Sequence, residues 1–293
     1  AKAQDETEVF ANDSKKKIYM HWMYDVPMGE QLDDDGDSLE SIEGCLTDAQ
    51  YNRDEHRKAV IDDILDNWVS QSHNGKFHAI LATSSIPEAI KYYKLFAQRD
   101  CGLKTTAVFD PSDGNNESSI EKIDGIAQML EDYNSLFGTC FNISGYASFK
   151  RDVCARLAHK TPYTAVENEP SKCLDILIVV DQMLTGYDSK WLNTLYMDKF
   201  YKWSNIEMII QAFSRTNRVF NDDKPHGIIR YYRSPYTMKN IIEYAFEQYS
   251  GQKPYGIFVA KLIQNLENMN AAFSDINDIF KIAGIPDFFK TSR

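Results

Sequence analysis

The run DILIVV (Asp175–Val180) constrains this chain more than any other segment. Its apolar residues follow one another with no polar face, so a strand built from them is covered on both sides. Strands of that kind belong to parallel sheets, where helices pack over both faces; a sheet with one wet face would read as alternation. Parallel strands in turn need long crossovers, so the flanking sequence must alternate strand and helix.

It does. FHAILAT (Phe77–Thr83), KTTAVFD (Lys104–Asp110), TLYMD (Thr194–Asp198) and GIIRYY (Gly227–Tyr232) read as four more strands. Helices are predicted over Thr47–Ser70, from Pro87 to about Gln98, over Glu117–Phe137, over Ala147–His159, and through the segment holding Gln211, Arg215 and Arg218. This order implies right-handed βαβ crossovers and a doubly wound α/β sheet. Residues 1–46 read as an irregular, acidic connecting segment, with KKIYMHWMY (Lys16–Tyr24) as a candidate strand. The α/β domain is expected over 47–233 and a helical extension over 234–293, where Phe246, Tyr249, Phe258, Leu262 and Leu266 form a core stripe.

With 293 residues, 43% of them hydrophobic, the chain can bury a real core. Its net charge of −11 argues against a nucleic-acid binder with a wholly basic surface. The charge is uneven. Glu30, Asp33, Asp34, Asp35, Asp37, Glu40 and Glu43 share a stretch without Lys or Arg, which reads as a solvated, mobile loop. DDDGD within it lacks the downstream glutamate of a calcium loop. Between Ser189 and Arg233, by contrast, basic residues outnumber acidic ones. Five scattered cysteines without CxxC, no signal peptide and no apolar run of membrane-spanning length point to a cytoplasmic protein with reduced thiols. Metal coordination is not expected. The chain begins at Ala1 and is expected to be part of a longer protein.

Two segments carry chemistry. The first is LTGYD (Leu184–Asp188), just beyond DILIVV. Ligands in parallel α/β sheets bind past the carboxyl ends of strands. Gly186 permits close backbone approach, Thr185 offers a hydroxyl and Asp188 a carboxylate. An ordinary strand-to-loop turn is the plain alternative. The second segment is QAFSRTNRVF (Gln211–Phe220). Spacings of four and three place Gln211, Arg215 and Arg218 on one helical face. Guanidinium forks grip phosphate oxygens in two-point fashion. The plain alternative is a solvated face paired with Asp222 and Asp223. Other matches fail on context. No G-x-x-x-x-G-K-[ST] is present. DEHR (Asp54–Arg57) opens a helix instead of following a buried strand, and Glu121–Ile123 also reads as helix surface.

IVVDQMLTGYD resembles motif V of superfamily 2 helicases and translocases, and QAFSRTNR resembles their motif VI, with Ser214 where glycine usually stands. LIVVDQMLTGYDSKWLNTLYMDK followed by QAFSRTNRVF is similar, more closely still, to the R subunit of type I restriction–modification enzymes. That resemblance runs from about Tyr51 to Arg233, and HAILATSS (His78–Ser85) would match motif IV. It implies a RecA-like fold, this chain being the second motor lobe of an ATP-dependent double-stranded DNA translocase and endonuclease. Arg215 and Arg218 would be arginine fingers. Gly186, Asp188 and Gln211 would join the nucleotide cleft. Thr83, Ser84 and Thr185 would touch the DNA backbone. ATP and Mg²⁺ would be held mainly by a first lobe, so the isolated fragment is expected to be inactive. The partners implied are double-stranded DNA and the methyltransferase and specificity subunits. Two alternatives remain at this point: a lobe of another superfamily 2 helicase or remodeller, and a non-catalytic module that docks to a methyltransferase core.

Overall fold

The structure, a computed structural model, describes residues 10, 12–33, 35–99, 101–109, 119–180, 184, 187–220, 222–249 and 262–282. Five strands form one sheet: β1 (His78–Thr83), β2 (Thr105–Val108), β3 (Ile176–Val179), β4 (Leu192–Asp198) and β5 (Ile228–Tyr231). Their order is β2-β3-β1-β4-β5, and every pairing is parallel. All residues of β1, β3 and β4 are buried, as the two-sided apolar pattern requires. This is the doubly wound, RecA-like α/β sheet expected from the sequence.

Helices flank the strands in sequence. Among the described residues the helices of eight residues or more are, in order, α1 (Asp13–Met20), α2 (Asp54–Gln71), α3 (Ile86–Gln98), α4 (Ser119–Phe137), α5 (Tyr146–Leu157), α6 (Ile206–Ser214), α7 (Pro235–Tyr249) and α8 (Leu262–Ile282). The Ser85 hydroxyl caps α3 by accepting from Glu88 N–H, and Pro87 occupies its first turn. Polar bonds tie α2 to the sheet: Asp63 accepts from Arg230 and Tyr232, both at 2.7 Å, and Gln71 accepts from the Tyr196 hydroxyl at 2.7 Å.

Three expectations change. KKIYMHWMY is helical, not a strand: α1 is followed by a wider turn over His21–Asp25. Asn12 starts it by accepting from Ser14 and Lys15 N–H at 3.0 and 3.1 Å. Second, the acidic segment is solvated only in part. Asp33 and Asp35 are exposed, but Glu43 is buried and its carboxylate accepts from Tyr236 N–H (3.0 Å) and Thr237 N–H (2.7 Å). A side chain 193 residues upstream thus caps α7. Glu30 adds two bonds, N–H to Thr237 Oγ1 and a carbonyl accepting from Asn240. Gly29 lies so close that a Cβ there would meet the Tyr236 carbonyl carbon at 2.5 Å.

Third, the chain divides into two compact units, Ala1–Ala245 and Phe246–Arg293. The first takes in the acidic segment and most of α7, whose Met238, Ile241, Ile242 and Ala245 are buried. Both sequence-drawn boundaries, at 46 and at 233, therefore differ from this division. Of the expected C-terminal stripe, Tyr249 is exposed, and the side chains of Phe258, Leu262 and Leu266 lie outside the described residues. Among the described residues no helix is long and apolar enough to cross a membrane, and no cluster of metal-ligating side chains occurs.

Candidate functional site

The α6 helix stops at Ser214, before the arginines. Hydroxyls compete for its last carbonyls: Ser214 donates to Gln211 O (2.7 Å) and Thr216 to Phe213 O (3.0 Å). The backbone tightens to bonds of i to i−3 type, with Arg215 N–H on Ala212 O and Thr216 N–H on Phe213 O. A turn, not a continuous helical face, therefore sets the direction of Arg218. Gly227 makes room for that turn, since a Cβ there would meet Thr216 at 2.3 Å.

The two arginines behave differently. Arg215 is half-buried and donates Nε to Leu184 O (3.1 Å) and Nη1 to Tyr187 O (3.2 Å). Its fork fastens the turn after α6 to the loop after β3. Arg218 makes a two-point pair with Asp188, at 2.9 and 3.0 Å, with side chains 62% and 56% exposed. Gln211 is exposed. The structure thus brings Asp188, Arg215 and Arg218 together. Thr185 and Gly186 lie outside the described residues.

The loop is anchored from beneath. The buried Tyr187 hydroxyl bonds to His78 Nε2 at 3.1 Å. Burial, with the charges of His159 and Lys224, holds the His78 pKa well below its ordinary value, so the ring is neutral. Lys224 is fully buried and donates to Leu192 O (2.6 Å) and Lys190 O (3.3 Å). Desolvation lowers its pKa to about 8. Phe220 packs against Phe77 and Trp191. Tyr187 and Phe220 lie within the two chemistry-bearing segments, but the anchoring roles of His78, Trp191 and Lys224 had no signal in the sequence.

These contacts correct the expected location. His78 opens β1, Leu192 opens β4, and Phe77 and Trp191 precede them. The arginine pair therefore lies toward the amino-terminal edge of the sheet, not past the carboxyl ends. The chain leaves β3 at its carboxyl end, beyond Val179, and by Tyr187 has crossed the sheet.

At the carboxyl edge the expected hydroxyls split. Thr83 is fully buried and its Oγ1 bonds to Val179 O at 3.1 Å, so it cannot meet a phosphate; Ser84 is exposed. Beside them Asp198, fully buried at the end of β4, accepts from His56 Nε2 (2.7 Å), Tyr92 Oη (2.9 Å) and Arg233 (3.0 and 3.1 Å). Burial alone would raise its pKa, but the bonds from His56 and Arg233 outweigh that and hold it below the ordinary carboxylate value. Arg57 pairs with Glu88 at 2.8 Å, so DEHR is structural.

The family model for type I restriction enzyme subunit R domain 3 matches residues 75–234. The endonuclease subunit of the type I restriction enzyme SsaAORF53P from Staphylococcus saprophyticus is 32% identical over 213 residues, covering 70% of this chain and 22% of that protein. The corresponding subunit of SauMRSORF196P from Staphylococcus aureus MRSA252 is 31% identical over 200 residues, covering 66% and 20%. That of HindI from Haemophilus influenzae is 42% identical over 60 residues, covering 20% and 5%. The chain spans about a fifth of the length of the staphylococcal relatives. The matched span takes in the whole sheet and both arginine-bearing and aspartate-bearing segments, and the chain belongs to the type I restriction enzyme R-subunit family.

Proposed function

We propose that this chain is the second RecA-like motor lobe of an R subunit, and that the intact enzyme couples ATP-driven translocation of double-stranded DNA to cleavage. One observation carries this reading: the turn after α6 and the loop after β3 are joined by Arg215 on two carbonyls and by Arg218 on Asp188. A buried structural arginine would be enclosed, whereas the Arg218 guanidinium stands in solvent, where a triphosphate can displace its carboxylate partner. The donor set fits ATP·Mg²⁺ held by a neighbouring lobe. Bound there, ATP supplies a terminal phosphoryl group that gathers negative charge during transfer. Arg218 is placed to neutralise that charge, Arg215 to hold the loop that positions Asp188, and exposed Gln211 to meet phosphate or water. Ser84, at the other edge, is the hydroxyl free to meet a DNA phosphate. The cytoplasm, and assembly with methyltransferase and specificity subunits, follow from this reading.

The test is Arg218→Ala in the intact subunit. DNA-stimulated ATP turnover should fall by about 10³-fold or more, with ATP binding changed only a few-fold. Unchanged turnover removes the finger role. The 293-residue chain alone, without a phosphate-binding loop, should not hydrolyse ATP.

One observation favours an assembly role for the second unit. Met269, Phe273, Ile276 and Ile279 are exposed on α8 at helical spacing. Deleting residues 246–293, which spares the buried part of α7, should then abolish capture by a methyltransferase–specificity core without unfolding the sheet.

A further inference from the structure

The acidic turn shapes a cavity that neither the sheet nor the arginine pair uses. Leu32 bridges Ser38, and Asp33 Oδ1 accepts from Asp35 N–H and Asp37 N–H at 3.0 and 2.8 Å. The turn is fixed to the body by the Glu30 and Glu43 bonds to α7. It faces Trp203 and Tyr244, whose half-buried rings meet edge to face, centroids 5.6 Å apart and planes at 73°. Together these residues, with Gln31 and Asn240, line an open cavity of about 500 Å³. Trp203 donates its indole N–H to the Glu30 carboxylate at 3.1 Å, which fixes the ring and enriches its π face.

The chemistry of this corner is one-sided. Two aromatic rings, whose π systems attract cations, line the cavity together with the Asp33 and Asp35 carboxylates. The second oxygen of Asp33 and both of Asp35 have no hydrogen-bond donor among the described residues. Among the described residues no Lys, Arg or His lines the cavity, and the sequence has none between Glu30 and Thr47. We propose that this corner is a docking site for an arginine side chain of a partner protein. A guanidinium is flat and weakly hydrated, stacks on an indole and can still direct N–H groups to carboxylates. Lysine offers a compact, strongly hydrated charge that uses the aromatic faces less well. The charge complementarity required is met by any partner loop that presents arginine free of acidic neighbours. This site is independent of the nucleotide reading.

The test uses the 293-residue chain, ¹⁵N-labelled, and follows the Trp203 indole N–H resonance. Acetyl-Gly-Arg-Gly-amide should give a saturable shift. The citrulline analogue, equal in shape but uncharged, should bind at least about five-fold more weakly. Asp33→Asn with Asp35→Asn should weaken the arginine peptide by a similar factor, and Tyr244→Leu by about three-fold. The Asn pair leaves the Glu30 and Glu43 bonds in place, so an unchanged spectrum elsewhere certifies the fold. Equal binding of the citrulline peptide, or undiminished binding by the Asn pair, overturns the proposal. So does a larger shift with MgCl₂ than with the peptide, which would mark an ion site instead.

Discussion

Arg215 and Arg218 sit three residues apart, yet the structure separates what they do, and the separation is measurable. Arg215 donates to Leu184 O at 3.1 Å and Tyr187 O at 3.2 Å from a half-buried position. A hydrogen bond with one charged partner contributes about 1.5–3 kcal/mol when buried. Halved for partial exposure, the two bonds contribute about 2 kcal/mol together. Arg215→Ala should cost about that much, and Arg215→Lys about 1 kcal/mol, since an ammonium cannot span two carbonyls as a planar fork does. Arg218, at 62% exposure and paired with a carboxylate at 56%, should contribute about 0–1 kcal/mol, and less in high salt. Urea unfolding of the 293-residue chain resolves this. With a slope of about 3 kcal/mol/M, Arg215→Ala should lower the midpoint by about 0.7 M and Arg218→Ala by under about 0.3 M. In the intact subunit both substitutions should suppress DNA-stimulated ATP turnover, one by releasing the loop and the other by removing the charge. Equal destabilisation by the two alanine variants would refute the division of roles.

Asp198→Asn should destabilise the chain by about 3–5 kcal/mol, because Arg233 stays buried without its counter-charge. The Asp198 pKa is depressed in the folded state, so its stabilisation is complete above about pH 4 and disappears as pH falls through the folded value. Acid titration of stability should show that loss in the parent and a flatter acid limb in the variant. Lys224 moves the opposite way. Its pKa, lowered to about 8, means the unfolded chain binds more protons between pH 8 and 10, so stability should rise with pH across that interval. In Lys224→Met the rise should vanish. Glu43→Ala removes the cap on α7 and should cost about 1–2 kcal/mol, with amide exchange at Tyr236 and Thr237 about ten-fold faster or more.

The sheet was legible because its residues report burial directly. DILIVV and FHAILAT are apolar on both faces through their centres, and each forms a buried parallel strand. Ranges for α3, α4 and α5 came within a few residues because proline, caps and apolar spacing mark them locally. Failures arose where distant contacts decide. KKIYMHWMY has strand-forming residues, but Asn12 starts a helix there and no described strand edge stands beside it. Glu43 reads as one more solvated acid until α7 supplies unpaired N–H groups to it. Thr83 reads as an exposed strand-end hydroxyl, yet it crosses to Val179 of the adjacent strand. The helix expected through Gln211–Arg218 ends at Ser214 because serine and threonine hydroxyls take its last carbonyls, an effect of rotamer choice that spacing does not record.

The rule that ligands gather past carboxyl ends applies to crevices opened by diverging crossovers. Here β3 and β4 are consecutive in sequence but lie on either side of β1, with no helix described between them. To begin β4 in parallel, the chain must travel the height of the sheet from Val179 to Leu192. The segment that resembles motif V lies between those two ends. Its start lies beside Thr83, whose Oγ1 donates to Val179 O, at the edge proposed to meet DNA. Its end carries Tyr187 on His78 and Asp188 on Arg218, at the edge proposed to meet nucleotide. On the proposed function, one short segment would then have an end at each ligand. Phosphate binding at Arg218 would release Asp188, and the Arg215 fork would carry that change to Leu184. If coupling runs along this path, Asp188→Asn should uncouple DNA stimulation from ATP turnover: basal turnover would persist while the DNA-dependent increment shrinks. An increment that survives in Asp188→Asn would place the coupling elsewhere in the subunit.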